Sequence, residues 1–168
     1  MNELYILRHC KSDWGRGLSS DSDRPLSSRG IRDAGRMGDW MMEHRYLPKT
    51  VLCSTALRTR QTAQLVCERL DIDEQYIRFE ETLYLASRKT LLDIIQSNLD
   101  KPSPLMLIGH NPGMDEIVSY LSKVEVPRTG QGKLMTTGCL VRFSLPGNVS
   151  ELQHQAELLS ITRPSEIL

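Results

Sequence analysis

Long apolar runs are absent from the sequence. No stretch approaches the ~18 consecutive apolar residues that a membrane-spanning helix needs. The first residues include Glu3 and a run of only four apolar residues, at positions 4–7, which is too short for the apolar region of a signal peptide. We therefore expect a soluble, cytoplasmic protein that makes no contact with a membrane.

The sequence also lacks a charge excess and a cysteine framework. Its 21 basic and 21 acidic side chains cancel, whereas a general nucleic-acid binder needs a basic excess to neutralise phosphates. The cysteines, Cys10, Cys53, Cys67 and Cys139, form no C-x-x-C pair, and none has a histidine at the spacing of a zinc site. We expect reduced thiols, no metal or other cofactor, and no nucleic-acid partner.

Length and hydrophobic pattern predict one α/β domain. A chain of 168 residues is shorter than the ~250–300 residues at which a single core stops growing, so we expect one domain over residues 1–168, and a monomer. Apolar runs and helical periods predict strands at 4–7, 50–53, 76–79, 105–108, 139–145 and 156–161, and helices at 28–45, 56–70, 90–99 and 112–121. This alternation, with strands that are apolar throughout, is typical of a three-layer α/β/α sandwich around a mostly parallel sheet.

Unusual polar residues follow three of the predicted strands. Arg8 and His9 come directly after the first strand, and Arg58 lies one turn into the helix that follows the second. His110 follows the strand at 105–108. Because the carboxyl ends of parallel strands open on one crevice, we expect these side chains to meet. Two arginines and free helix N–H groups would give that crevice a positive potential, which suits a phosphoryl group.

Taken singly, each polar residue also has an ordinary structural role. Ser54 and Asn111 are good N-caps for the helices that follow them, and Pro112 suits a first helical position. Arginines on the predicted helices, such as Arg32 and Arg36, most often lie on solvated faces. A functional site is favoured because two histidines and two arginines share one predicted edge of the sheet.

The N-terminal residues resemble motifs of the histidine phosphatase superfamily. Arg8-His9, with Ser12 and Trp14 after it, resembles the superfamily's Arg-His-Gly signature in its extended form. Residues 23–30, which read DRPLSSRG, resemble the D-x-P-L-[ST]-x-x-G element that follows the signature in the family.

The resemblance continues in the same order along the chain. Ser54-x-x-x-Arg58-x-x-x-Thr62-Ala63 matches the second arginine motif, and Gly109-His110-Asn111 matches the second histidine motif. The matches extend from residue 4 to about residue 113, and together they are highly specific. The short chain, without a large insertion after the second arginine motif, is similar to the phosphohistidine phosphatase (SixA-type) branch.

The resemblance implies a phosphoglycerate mutase-like fold and a metal-independent phosphatase without a cofactor. By this resemblance, a neutral His9 attacks phosphorus and forms a phosphohistidine intermediate, and Arg8, His9, Arg58 and His110 bind the phosphate. We expect the two arginines to disfavour the imidazolium form of His9. Glu81 is the nearest candidate for the proton-donor carboxylate of many family members, and a solvated loop position is an equal alternative for it.

One position departs from the family pattern. Cys10 stands where the signature has a small Gly or Ala. A thiol beside the nucleophile, with Arg8 and Lys11 as positive neighbours, would favour a reactive thiolate. We therefore expect oxidation at Cys10 to inactivate the protein, unless burial opposes it.

Several functions stay open on these residues. The first is a phosphatase that acts on phosphohistidine in a phosphorylated protein, or on a small phosphorylated molecule. The second is a phosphomutase, which needs a lid that keeps water from the intermediate, and this short chain has little room for one. The third is a non-catalytic module that binds phosphate or a phosphoprotein in the same pocket.

Overall fold

The computed structural model describes residues 2–15, 17, 20–147 and 151–167. Strands and helices alternate in the order β1 (Asn2–Arg8), α1 (Ser28–Glu43), β2 (Thr50–Ser54), α2 (Leu57–Arg69), β3 (Ile77–Glu80), α3 (Arg88–Ser97), β4 (Leu105–Gly109), α4 (Gly113–Leu121), β5 (Leu140–Leu145) and β6 (Glu157–Thr162). Every predicted strand and helix is confirmed in type. Within this part of the chain, none of the helices is both long and apolar enough to cross a membrane.

The six strands form one mostly parallel sheet. Their order across the sheet is β3-β2-β4-β1-β5-β6. The four strands β1 to β4 are parallel to one another, whereas β5 runs antiparallel to both β1 and β6. In parallel strands, successive side chains point to opposite faces, so a strand that is apolar throughout needs a cover on both sides.

The helices supply that cover in two layers. Alternate residues of β1 separate cleanly: Leu4 and Ile6 face the layer formed by α3 and α4, whereas Tyr5 and Leu7 face α1 and α2. The same division holds for Leu105 to Ile108 of β4, where the apolar residues alternate between the two cores. The predicted three-layer α/β/α sandwich is therefore confirmed.

The helix starts follow local capping chemistry in two cases and depart from the prediction in two others. The side chain of Ser27 accepts a hydrogen bond from Gly30 N–H at the start of α1, and that of Ser87 accepts one from Thr90 N–H at the start of α3. The predicted cap at Ser54 is wrong, because α2 begins only at Leu57. Ser54 ends β2 instead, and its side chain is committed elsewhere.

The start of α4 is also shifted relative to the prediction. The helix begins at Gly113, so Pro112 precedes the first helical residue rather than occupying it. Asn111 still serves the helix start, because its side-chain oxygen accepts a hydrogen bond from Asp115 N–H at 3.1 Å.

Gly30 allows α1 to pack against the loop that carries the first polar motif. A Cβ atom at this position would collide with the backbone carbonyl oxygen of Lys11. That oxygen accepts hydrogen bonds from the backbone N–H of Ser27 at 2.9 Å and from its hydroxyl at 3.1 Å. The close approach therefore fixes the loop after β1 against the start of α1, and it explains the glycine at the end of the DRPLSSRG element.

Replacing Gly30 by alanine should destabilise the protein. Alanine has the better helix propensity, by about 1 kcal/mol, but the added methyl group must displace backbone, and overpacking of this kind typically costs about 1–3 kcal/mol. We expect a lower free energy of unfolding for Gly30→Ala in urea titrations. Gly130→Ala is the matched control, because a Cβ there would meet no atom within 4 Å. Equal stability of the two variants would contradict the packing argument.

Candidate active site

Strand register brings the two predicted histidines together. Arg8 at the end of β1 pairs with Gly109 at the end of β4. His9 extends this pairing, because its backbone N–H donates to Gly109 O at 3.0 Å. His110 is the next residue after Gly109, so the imidazole rings of His9 and His110 lie 5.4 Å apart between centroids. The convergence predicted at the carboxyl edge of the sheet is therefore present.

A backbone carbonyl fixes the tautomer of His9. The ring atom Nδ1 lies 2.7 Å from Cys10 O. A carbonyl oxygen can only accept a hydrogen bond, so Nδ1 must carry the proton. In the neutral ring the lone pair is then on Nε2. This is the form of imidazole that can attack an electrophile through Nε2.

The surroundings of His9 keep its ring neutral. Burial is the largest cause and lowers the pKa of His9 to about 4, with further lowering by the charges of Arg58, Arg8 and Arg24. The hydrogen bond to Cys10 O acts in the opposite direction. The arginines do disfavour the imidazolium form, as predicted, but desolvation contributes more than they do.

His110 is held by Ser54, which ends the neighbouring strand β2. Ser54 Oγ lies 2.7 Å from His110 Nε2, and both side chains are buried. The hydroxyl accepts from Ala56 N–H at 3.4 Å, and its own hydrogen has no other acceptor among the described residues, so both polar groups are satisfied when the hydroxyl donates to Nε2. His110 then carries its proton on Nδ1, a buried atom that has no hydrogen-bond partner among the described residues.

This arrangement makes His110 a neutral donor. Burial, followed by the charge of His9, lowers the pKa of His110 to about 3. A buried N–H without a partner costs free energy, and an incoming anion that accepts a hydrogen bond from it removes that cost. Ser54 therefore acts as a positioning residue for His110, a role for which its only sequence signal was its place in the second arginine motif.

Arg58 lies in the site but is already engaged. It is 3% exposed, and its terminal nitrogens donate to the backbone oxygen and to Oδ2 of Asp21, both at 2.9 Å. Its Nε is buried and has no partner in the described part of the chain. A phosphoryl group would therefore meet an arginine that Asp21 holds in place from the outer side.

Asp21 is a site residue that the sequence does not reveal. It lies 37 positions before Arg58, and no motif spacing connects the two. Tyr84 donates its hydroxyl hydrogen to Asp21 Oδ2 at 2.5 Å. This bond is the largest cause that holds the pKa of the Asp21 carboxyl well below its usual range, and hydrogen bonds from Arg58 and Arg24 add to it. Asp21 is consequently ionised at neutral pH.

Arg8 and Thr62 tie the site to its surroundings. Arg8 donates from Nη1 to Met135 O at 2.8 Å, and its Nε is buried without a partner among the described residues. Thr62 Oγ1 accepts from Cys10 N–H at 3.0 Å and donates to Arg58 O at 2.8 Å. One hydroxyl thus links the loop of His9 to the helix of Arg58, which explains the threonine in the second arginine motif.

Glu81 does not join this cluster. It is exposed at the start of a 3-10 turn, Glu81–Leu83, and its side chain forms no hydrogen bond or ion pair with another described residue. The member of this segment that does reach the site is Tyr84, through Asp21. The solvated alternative for Glu81 fits this geometry, whereas a role as proton donor stays a prediction.

The expectation of a reactive Cys10 is not supported by its surroundings. The side chain is fully buried in the core between α1, α2 and the sheet. Burial raises the pKa of the Cys10 thiol to about 12, and the charge of Asp33 adds to this shift. Local sequence neighbours suggested a thiolate, but desolvation outweighs them, so the thiol stays protonated and shielded from oxidants.

Across the residues that the structure covers, no cluster of side chains is suited to hold a metal ion.

Comparison with known proteins gives concordant matches. The model of the histidine phosphatase superfamily (branch 1) matches residues 4–84. An uncharacterized protein of Mycobacterium tuberculosis is 36% identical over 118 residues, which cover 70% of this chain and 71% of that protein. The phosphohistidine phosphatase SixA of Escherichia coli is 24% identical over 144 residues, 85% of each chain. The crystal structure of a candidate phosphohistidine phosphatase SixA from Agrobacterium tumefaciens superposes with a TM-score of 0.81 and 28% identity, over 97% of this chain and 99% of that one.

Arg58 should matter far more for phosphatase turnover than Arg60. Arg60 donates from Nε to Thr55 O at 2.9 Å and lies over the ring of Phe79, outside the histidine cluster. Loss of a preorganised donor to a transition-state oxyanion costs about 10²–10³ in rate. We expect Arg58→Ala to lose kcat/KM by that factor with p-nitrophenyl phosphate and Arg60→Ala to lose little. Similar small losses in both variants would place the anion site elsewhere.

The pH dependence should reflect the low pKa of His9. An ordinary histidine, with a pKa of about 6.5, would lose its Nε2 lone pair below that pH. Because the pKa of His9 is about 4, we expect kcat/KM to stay level from pH 8 to about pH 5 and to fall only below it. The profile is measured with short incubations and corrected for the ionisation of the substrate.

Short incubations matter because the same shift affects stability. The unfolded chain takes up protons on its histidines near pH 6.5, whereas folded His9 and His110 do not, so the free energy of unfolding falls as the pH drops below 6.5. His44→Ala, at an exposed position, is the control and should keep the same activity profile. An acidic limb near pH 6.5 in the wild type would show that His9 is more hydrated than its 7% exposure indicates.

Proposed function

The chain belongs to the histidine phosphatase superfamily and is therefore a phosphatase, and from this premise we propose that its substrate is phosphohistidine in a protein. We propose further that it acts through a phosphohistidine intermediate on His9. The observation that carries this proposal is the hydrogen bond from His9 Nδ1–H to Cys10 O at 2.7 Å. It leaves Nε2 as a lone-pair donor at the mouth of a cationic site, where it can attack phosphorus.

Attack by His9 exchanges one phosphorus–nitrogen bond for another. Nε2 of His9 forms a bond to phosphorus while the bond between phosphorus and the substrate imidazole breaks, and the electron pair of that bond goes to the leaving imidazole. The leaving ring takes a proton from solvent on one of its nitrogens and departs neutral. Water then forms a bond to phosphorus while the bond from phosphorus to Nε2 breaks, and the electron pair of that bond returns to Nε2. The protons of the water leave on inorganic phosphate or pass to solvent.

The neighbouring side chains would stabilise the charge on the transferring group. Arg8 and Arg58 each have a buried Nε–H without a partner among the described residues. His110 Nδ1–H is a third such donor on the tautomer that Ser54 favours. Phosphoryl transfer depends mainly on positioning and on donors aimed at the equatorial oxygens. Three preorganised donors around one nucleophile meet that requirement.

The lack of an obvious general acid favours a phosphoramidate substrate. An alkoxide leaving group needs a proton in the transition state, whereas a phosphorylated imidazole can be protonated on its other nitrogen by solvent. Glu81 is exposed and its side chain forms no hydrogen bond or ion pair with another described residue, and Asp21 is held ionised by Tyr84 and Arg58. Neither carboxylate is poised to protonate a leaving alkoxide, which supports phosphohistidine over an alkyl ester.

The proposal includes the setting of the reaction. We infer that residues 1–168 act as a single domain and a monomer in the cytoplasm, without a cofactor and without nucleic acid. The four cysteines are all buried and unpaired, which supports a reducing compartment. In this scheme the nucleophile is His9, and the hydrogen-bond donors are Arg8, Arg58 and His110.

Trapping the phosphoenzyme tests the function directly. With a peptide that carries labelled phosphate on histidine, rapid quench of the wild type should yield a labelled enzyme that is acid-labile and base-stable. The same variants are then assayed for phosphate release at steady state. His9→Ala should lose both signals, because the other candidate lone pairs among the described site residues are engaged: His110 Nε2 bonds Ser54, and the Asp21 carboxylate bonds Arg58 and Tyr84.

Matched controls separate the alternatives. His44→Ala removes a histidine that stacks on Trp40 outside the site, and it should label as the wild type does. Labelling of His9→Ala would assign the nucleophile to another residue.

Glu81→Gln should keep hydrolysis of the phosphohistidine peptide within about tenfold of the wild type. Fast hydrolysis of alkyl phosphates that Glu81→Gln abolishes would replace this proposal by a phosphomonoesterase of small molecules. Binding without turnover of any substrate would indicate a non-catalytic module.

A further inference from the structure

Two adjoining cavities lie beside α1, and Arg8 of the active site lines one of them. One has a volume of about 540 Å³ and reaches Arg8, and the other has a volume of about 320 Å³ and ends near Ile167. They share Arg29, Thr136 and Thr137, so they form one continuous depression. None of the proposed phosphoryl-transfer steps requires this depression beyond Arg8.

Basic side chains dominate the walls of this depression. Seven of its lining residues are basic and two are acidic. Apart from Arg8, which belongs to the active site, the basic ones define a surface that we name the basic groove: Lys11, Arg29, Arg32, Arg36, Arg128 and Lys133. The whole chain has no net charge, so this concentration is local and is compensated elsewhere.

The two acidic residues neutralise the groove only in part. Asp33 has a side chain only 10% exposed, and its oxygens lie 3.7 Å from Arg29 Nε and 3.9 Å from Arg32 Nε. Asp115 Oδ1 accepts a hydrogen bond from Met135 N–H at 3.1 Å. Neither contact extends to Arg36 or Lys133, which form no ion pair with any described residue. Positive charge therefore remains exposed along the groove.

The geometry of the charges fits an extended chain better than a small molecule. Arg29, Arg32 and Arg36 are exposed on one stripe of α1, and the helix rises ~10 Å over the seven steps from Arg29 to Arg36. That length equals about three residues of extended polypeptide, and the larger cavity continues it to Lys133. Small-molecule sites are mostly apolar and enclosed, whereas exposed charges of one sign are typical of surfaces that steer a macromolecular partner.

We propose that the basic groove docks an acidic segment that flanks the phosphohistidine of the protein substrate. The proposal rests on the proposed function, because it names the partner of the same site. Arg8 links the basic groove to the active site, because it lines the larger cavity and, in the mechanism above, contacts the phosphoryl group. Carboxylates of the substrate would lie along Arg29, Arg32 and Arg36 while the phosphohistidine reaches His9.

Two phosphohistidine peptides of equal length test this proposal. One carries Asp and Glu around the phosphohistidine, and the other carries Asn and Gln at the same positions. Single exposed ion pairs are weak, but several together, aided by steering, should raise kcat/KM for the acidic peptide about tenfold at low salt. The advantage should disappear at about 1 M salt, where the Debye length is ~3 Å.

Charge reversal locates the docking surface. Arg32→Glu combined with Arg36→Glu should abolish the preference for the acidic peptide and leave kcat/KM for p-nitrophenyl phosphate unchanged. The matched control is Lys49→Glu combined with Lys101→Glu, which makes the same change of charge at exposed positions before β2 and β4, at the opposite end of the sheet. This control should retain the preference.

The outcomes distinguish the docking proposal from the proposed function. Hydrolysis of both peptides with equal kcat/KM, or the same preference in the groove variant and its control, would overturn the docking proposal and leave the phosphatase in place. If neither peptide is hydrolysed, the proposed function fails, and docking is decided by fluorescence anisotropy. The probes are an acidic and a neutral peptide that each carry a non-hydrolysable phosphonate analogue of phosphohistidine. Docking is supported if the acidic peptide binds the wild type more tightly than the neutral one does, and if this difference disappears at high salt and in the groove variant.

Discussion

The parallel pairing of β1, β4 and β2 is the constraint on which the site depends. It aligns Arg8 with Gly109 and Cys53 with Ile108, so that the carboxyl ends of three neighbouring strands lie at one level. His9, His110 and Ser54 then lie side by side without any contribution from a distant loop. A one-residue slip between strands would move every side chain to the other face, and the two apolar cores on the faces of the sheet resist such a slip. The packing of the two cores therefore also fixes the positions of His9, His110 and Ser54 relative to one another.

Much of this arrangement could be predicted from the sequence, and the reason is physical. Apolar runs and helical periods identify strands and helices, and polar residues at strand ends converge by topology, which is why His9, His110 and Arg58 were expected together. Asp21 could not be found, because its contact with Arg58 joins a loop and a helix with no fixed spacing. The predictions for Ser54 and Cys10 were wrong for a related reason. A capping rule predicts that Ser54 starts a helix, but its hydroxyl bonds the buried ring of His110 instead. The positive sequence neighbours of Cys10 predict a thiolate, but desolvation keeps its thiol protonated.

The site meets two electrostatic requirements that oppose each other. A nucleophilic imidazole must stay neutral, while an anionic substrate needs positive charge close by. Burial keeps His9 and His110 neutral, and it does so more strongly than the arginines. Asp21 offsets part of the positive charge of Arg58 from the exposed side and holds its guanidinium in place. The charge of Arg58 is therefore partly compensated, while the buried N–H groups that have no partner among the described residues can still donate to a phosphoryl group.

The hydrogen bond from His9 Nδ1–H to the carbonyl of Cys10 sets the tautomer of His9 whichever side chain stands at position 10. The thiol of Cys10 points into the core against Gly138, whose Cβ would lie 3.0 Å from Cys10 Sγ, while the carbonyl of the same residue orients the nucleophile. Since every amino acid supplies a backbone oxygen, replacements at position 10 alter packing without removing the acceptor that sets the tautomer. Natural sequence variation at this position is consequently a question of volume and fit, and the reactivity of the neighbouring imidazole is insulated from it.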